Sequence, residues 1–181
     1  MQHKLTAALL ATLVLALFAG RADAQFENRA DYLGANVGLS GVGSAFTLGL
    51  DYEHGITNIG DVGPGIIGIG GLLDYFSYSY GYNYIDFPYS GTLTYFDIGV
   101  SGMYHFVLDN RKWDPFLGLV LGYESVSWSA PGGAPYASPY SSGLLLGGSA
   151  GVRYFFNDHW AAQARLGFGF YTLAVGVDYK F

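Results

Sequence analysis

The sequence predicts an all-β protein, a single eight-stranded antiparallel transmembrane β-barrel wound as an up-and-down meander. Three observations predict it. The last nine residues, Leu173 to Phe181 (LAVGVDYKF), alternate strictly, with Leu173, Val175, Val177, Tyr179 and Phe181 on one side and Ala174, Gly176, Asp178 and Lys180 on the other. Period two is a strand with one apolar and one polar face. Met1 to Ala24 has the form of an export signal: Lys4, then the uncharged run Leu5 to Gly20, then an A-x-A site before Gln25. Charged residues make up only 12% of the chain and aromatics 18%, with 28 Gly and 16 Tyr, whereas a soluble domain carries about twice that charge.

The apolar run of the signal falls short of the ~20 residues of a spanning helix, and small residues follow it, so it is expected to be removed after Ala24. That leaves residues 25–181 as one barrel domain. Removing Lys4, Arg21 and Asp23 with the signal makes the formal net charge one unit more negative than the −6 of the full chain. No basic surface for nucleic acid results. There is no Cys, hence no disulfide or thiolate chemistry. The longest uncharged stretch of the mature chain, Ser125 to Val152, contains three prolines and many Gly and Ser. It reads as two strands around a loop, and a closed barrel is then the way left to pair every backbone group in lipid.

Eight alternating segments follow one another. The first is Tyr32 to Ser40, with Leu33, Ala35, Val37 and Leu39 on its apolar face. The second is Ala45 to Glu53, with Phe46, Leu48, Leu50 and Tyr52 outward and Asp51 and Glu53 inward. The third, Gly65 to Tyr80, is less clean and turns Asp74 inward. The fourth, Thr92 to Phe106, carries Asp97 and His105 inward, and the fifth, Asp114 to Trp128, carries Glu124. The sixth, Ser142 to Phe156, turns Arg153 inward, the seventh, Trp160 to Phe168, Gln163 and Arg165, and the eighth is the terminal strand. Each is long enough to cross, since a tilted spanning strand needs ~9–11 residues.

With the N-terminus in the periplasm, the outer loops are Gly41 to Ser44, Gly81 to Ser90 (GYNYIDFPYS), Ser129 to Ser141 (SAPGGAPYASPYS) and Gly169 to Thr172. The periplasmic turns are His54 to Pro64, Val107 to Trp113 and Asn157 to His159, rich in Asp, Asn and Gly. Short first and fourth loops beside long strands three to six predict an oblique rim, with those strands standing above the membrane.

At this point the chain resembles a known family, the small eight-stranded outer-membrane β-barrels of Gram-negative bacteria, loosely called porin-like and including the OmpA/OmpX type. The matching pieces are GPGIIGIGG (Gly63 to Gly71), DPFLGLVLGY (Asp114 to Tyr123), VRYFFNDHWAAQARLGFG (Val152 to Gly169) and LAVGVDYKF. The resemblance covers the mature chain, implies a bacterial outer-membrane location, and is specific for architecture rather than activity. The last strand also resembles the carboxyl-terminal signal read by the outer-membrane assembly machinery, through Gly176, Tyr179 and Phe181. Ala174 departs from the polar residue often found where that signal begins.

Asp51, Glu53, Asp74, Asp97, Glu124, Arg153, Arg165, Asp178 and Lys180 fall on inward faces, so half of the six mature basic residues point into the barrel. They would line a charged conduit or form a salt-bridged plug. An eight-stranded barrel is only wide enough for side chains to fill, and buried charges must be paired, which favours the plug. Gly63 to Gly68 matches G-x-G-x-x-G, but a turn precedes it, Pro64 interrupts it and period-two residues follow, so no dinucleotide site is expected. His105 is the one mature histidine placed in a strand, and Asp97 lies about 26 Å away along that strand. Membrane-embedded acyl-hydrolase barrels resemble this architecture but place a Ser two residues after a strand His, where this chain has Val107. No catalytic residue, metal site or cofactor is expected, and the protein is read as not an enzyme.

The outer loops are the better binding candidate. Tyr82, Tyr84, Phe87, Tyr89, Tyr136 and Tyr140 lie in loops two and three amid Ser, Gly and Pro, the mixture that adaptable binding surfaces use. The alternative for such aromatics is a girdle at the lipid interface. The expected role is structural or adhesive, as a monomer in outer-membrane lipid, with a surface protein or host partner on those loops. One competitor is a narrow pore for small or apolar solutes. Another is a soluble periplasmic ligand-binding β-barrel, against which the apolar outward faces argue.

Overall fold

A computed structural model of the chain describes residues 25–41, 45–56, 63, 65–84, 87–129 and 141–181, with side chains at 80, 82–84 and 87–89 outside the description. The expected signal at 1–24 lies outside the described residues. Eight strands follow in chain order: β1 Asp31–Leu39, β2 Phe46–Ile56, β3 Ile66–Tyr84, β4 Phe87–His105, β5 Trp113–Ser129, β6 Gly143–Phe155, β7 Trp160–Phe168 and β8 Leu173–Lys180. Each pairs antiparallel with the next, and β8 pairs with β1 to close the barrel, Leu33 opposite Tyr179 and Leu39 opposite Leu173.

One path of opposed residues shows how the barrel is sheared. It starts at Asp114 on β5 and passes through Arg153, Gln163, Gly176, Asn36, Gly49, Asp74 and Asp97. It returns to β5 at Glu124, ten residues beyond its start. A stagger of ten over eight strands tilts them about 40° from the barrel axis. Every polar residue on this path belongs to the inward face, so the lumen's polar groups climb the wall as a spiral.

Two extents differ from the sequence reading. β2 runs on to Ile56, so His54 belongs to a strand rather than to the turn that follows. The described residues of the segment Gly81 to Ser90 are strand rather than loop: β3 and β4 are each 19 residues long and stay paired through Tyr82 opposite Tyr89 and Tyr84 opposite Phe87. Its Tyr, Asn and Pro residues resemble turn signals, yet the neighbouring strand supplies a ladder that outweighs them.

The rim is oblique as expected, but the tall side is β3 to β5. β6 begins opposite Glu124, and β5 from Ser125 to Ser129 pairs with β4. β2 leaves β3 at Phe76, so the outer part of β3 has β4 as its described strand neighbour.

Three apolar clusters fill the lumen. Phe26, Ala30, Tyr32, Phe155 and Ala161 lie at the end that carries the described N-terminal segment. Leu72, Met103, Phe116, Val120, Phe170, Tyr171 and Ala174 lie in the middle. Phe76, Leu93 and Tyr95 lie toward the tall side. Phe170 and Tyr171 enter from the connection after β7, where Gly169 takes a left-handed backbone (φ 93°) that glycine accommodates. Tyr171 is anchored by its hydroxyl, 2.9 Å from Ser149 Oγ.

Candidate functional site: the charged lumen and the tall wall

The N-terminal segment turns into the barrel mouth before β1 begins. Phe26 stacks on Tyr32 with centroids 4.7 Å apart. Glu27 N–H donates to the Tyr32 hydroxyl at 2.9 Å, and that hydroxyl donates to Gln25 O at 3.3 Å. Arg29 N–H donates to Gly55 O at 2.7 Å, and Gly55 N–H donates to Ala30 O at 3.0 Å. The approach is so close that a side chain on Gly55 would run into the Glu27 carbonyl.

Behind this segment lies a charged network centred on Arg153, whose side chain is fully buried. Its Nη2 donates to Glu53 Oε2 at 2.6 Å and its Nε to Asp178 Oδ2 at 2.8 Å. A third, longer contact runs from Nη1 to Asp114 Oδ2 at 3.5 Å. The guanidinium also lies 5.5, 5.4 and 5.2 Å from the ring centres of Phe26, Tyr32 and Phe116. A planar, delocalised cation suits both kinds of neighbour.

His105 completes this group. Its Nε2 lies 2.8 Å from Glu53 Oε1 and its Nδ1 2.8 Å from Asp114 Oδ1. Each ring nitrogen thus faces a carboxylate oxygen, an arrangement that an imidazolium, with hydrogen on both nitrogens, serves. One step up the wall, Arg165 Nη2 donates to Asp51 Oδ2 at 2.6 Å, and its Nε donates to Gln163 Oε1. Gln163 Nε2 donates to Asp178 Oδ1 at 3.0 Å, linking the two arginine groups, and Asn36 Nδ2 donates to Asp51 Oδ1 at 3.0 Å. Paired in this way, the buried ions satisfy one another.

Of the nine lumen residues expected from sequence, the structure brings Asp51, Glu53, Arg153, Arg165 and Asp178 into one network. Lys180 is a correction. Its ammonium pairs with Glu27 Oε1 at 2.6 Å at the half-exposed rim, because β8 ends there and the long stem lets the charge reach water. Asp74, Asp97 and Glu124 also face the lumen, where no salt bridge among the described residues includes them. They sit beside one another across β3, β4 and β5, while the arginines stand on β6 and β7 among nearer acids.

Sequence reasoning missed His105 and Asp114 as network members. It sought partners along His105's own strand, whereas they come from β5 and β2. Asp114 was legible by parity, two residues before Phe116 on the inward face. The Phe26 and Phe170–Tyr171 insertions carried no periodic signal. Among the described residues no group of three His, Cys, Asp or Glu is placed to hold a metal ion.

On the outside, apolar residues from every strand are exposed, Leu144 at 85% and Phe46 at 79% among them. Aromatic rings gather around the end where β8 finishes and the segment before β1 enters. Trp113 lies against Tyr154 at 4.8 Å, Tyr104 against Phe106 at 5.0 Å and Trp160 against Tyr179 at 4.9 Å. Tyr179 and Phe181 of the expected assembly signal belong to this ring, with centroids 6.3 Å apart. Of the expected binding surface, Tyr136 and Tyr140 lie outside the described residues. Tyr82, Tyr84, Phe87 and Tyr89 are placed on the wall by backbone register alone.

A solved structure of Ail, the attachment invasion locus protein of Yersinia pestis, in complex with the heparin analogue sucrose octasulfate, superposes with a TM-score of 0.52 at 15% identity, over 84% of this chain and 97% of that one. The chain shares its fold with Ail. A second Ail structure matches over the same shares at 15% identity with a TM-score of 0.48. The N-terminal β-barrel domain of Pseudomonas aeruginosa OprF matches at 18% identity with a TM-score of 0.48, over 85% of this chain and 98% of that one. No family model matches the chain, and no curated protein matches it.

Proposed function

We propose that this chain is an integral outer-membrane β-barrel protein with a structural and adhesive role, its lumen closed and its tall β3–β5 wall serving as the binding surface. The observation that carries the membrane reading is the exterior. On β5 the outward face runs from Trp113 through Leu117, Leu119 and Leu121 to Tyr123, apolar throughout and aromatic at both ends. At a 40° tilt that stretch is roughly 25 Å tall, the height of the lipid-facing band of outer-membrane barrels. Export after Ala24 and insertion by an assembly machinery that reads Gly176, Tyr179 and Phe181 complete the pathway. A monomer is the expected state, because barrel closure leaves no strand edge within the lipid.

Charge supports a binding mode unlike recognition of a polyanion. Among the mature residues the only Lys and Arg are Arg29, Arg111, Lys112, Arg153, Arg165 and Lys180. None lies in β3, β4, β5 or an outer connection. The Ail complex holds a heparin analogue, whereas this wall offers Tyr, Ser, Gly and Pro with no cation. A protein partner engaged by aromatic contacts or by strand addition along the wall fits better. The proposed role is non-enzymatic, in keeping with arginines that are taken up in pairing the lumen's own carboxylates.

The test is membrane fractionation and heat-modifiability on a gel, followed by binding to host and bacterial surfaces. Changing Tyr82, Tyr84, Tyr136 and Tyr140 together to Ser should abolish binding while the heat-modifiable band persists. Undetectable wild-type binding, or binding that survives the fourfold change, leaves a purely structural role.

A further inference from the structure

Toward the tall side the lumen's spiral of polar residues becomes purely acidic. Asp74 and Asp97 stand directly opposite each other on β3 and β4, a pairing that brings inward side chains within about 4.5–5.5 Å at their Cα atoms. Both residues are buried. Neither oxygen of Asp97 has a hydrogen-bond partner, and Asp74 Oδ2 has none. Two neutral oxygens nearby are in the same condition. Asn36 Nδ2 donates to Asp51 while its own Oδ1 has no partner, and Thr47 Oγ1 is also buried without one. Asn36 and Asp74 converge over Gly49, where a side chain would collide with the oxygens of both.

Asn36, Thr47, Asp74 and Asp97 thus bring oxygen-bearing side chains into the lumen from four consecutive strands, with two carboxyl groups and no salt-bridge partner for either among the described residues. The nearest arginine groups are committed: Arg165 to Asp51 and Gln163, and Arg153 to Glu53, Asp114 and Asp178. Buried carboxylates left in this state are costly. Oxygen-only donors with two carboxylates match a hard divalent cation, which takes mixed carboxylate and neutral oxygen ligands.

We propose that Asp74 and Asp97 bind a hard divalent cation in the lumen, with Asn36 and Thr47 contributing neutral oxygens. The set contains only two carboxylates, so waters would complete the coordination. Glu124, half-buried above Asp97 on the same spiral, stands between this point and the outer mouth. Cation binding here is independent of whether the wall holds a partner.

Terbium, a calcium mimic sensitised by nearby aromatic rings, is a direct probe. Tyr95 lies two residues from Asp97 on the same face of β4 and stacks on Phe76 at 4.3 Å. Detergent-folded, chelator-stripped protein should give a saturable terbium signal that calcium displaces. Asp97→Asn should weaken it about tenfold or more, as ligand charge sets affinity in such sites, and D74N/D97N should remove it. Asp109→Asn, on an exposed turn, should leave it unchanged. A folded wild type without the signal overturns the proposal, as does a signal that survives D74N/D97N. Should the variants fail to fold, the wild type decides: calcium should raise the temperature of its heat-modified transition over chelated protein, and coincident transitions overturn the proposal.

Discussion

Phe26 lies face to face on His105, with ring centroids 3.6 Å apart and planes 6° from parallel. The same phenylalanine ring receives the Arg153 guanidinium at 5.5 Å. One side chain from the segment before β1 thus covers both cations at the base of the lumen. This contact joins the barrel's first described residues to its central ion network.

Phe26→Ala should lower stability by about 3 kcal/mol, since a large buried ring is lost and two cations lose their cover. Chemical unfolding in detergent measures the loss. The variant should still carry no steady ion current in planar bilayers, because Phe170 and Tyr171 fill the lumen's middle. A sustained current from the wild type would favour the pore reading instead.

Gly55→Val should dislodge the same segment without removing an aromatic ring, although the new side chain also crowds the Phe26 ring. The added side chain meets the Glu27 carbonyl and pushes away the residues bonded to Gly55. Trypsin should then cleave after Arg29 faster than in the wild type. Combined with Phe26→Ala, the stability losses should be less than additive, because both changes release one contact unit. Full additivity would mean that the two residues act separately.

Arg153→Leu should destabilise the barrel by about 3–5 kcal/mol, leaving Glu53, Asp114 and Asp178 without their shared cation. Arg153→Lys should rescue little, because an ammonium cannot face three carboxylates and lie flat among rings. Equal unfolding midpoints for wild type and Arg153→Leu would show that the network contributes no stability.

Removal of Tyr179 to Phe181 should collapse the amount of protein in the outer membrane. The deletion takes the end of the strand that pairs with β1 and part of the aromatic ring at that end. Unpaired groups facing lipid cost several kcal/mol each. Normal insertion of the shortened chain, read by fractionation, would remove the last strand from any assembly role.

The sequence by itself determined where strands lie and which face of each turns inward, because alternation at period two records burial on one side. β7 was legible to its ends, and Arg153, Asp51 and Asp178 were placed inside by parity alone. The tall wall was misread at Gly81 to Ser90, where turn-like residues hide a hairpin whose strands support each other across the ladder. Partner identity belonged to the tertiary structure. His105 finds Asp114 and Glu53, and Glu53 finds Arg153 a hundred residues away, through a stagger of ten residues around the closed barrel. That stagger depends on all eight pairings at once, so no single stretch of chain contains it. The Phe26 insertion is also tertiary: an aromatic side chain with no periodic neighbours packs where closure of the barrel creates a pocket lined by rings and cations.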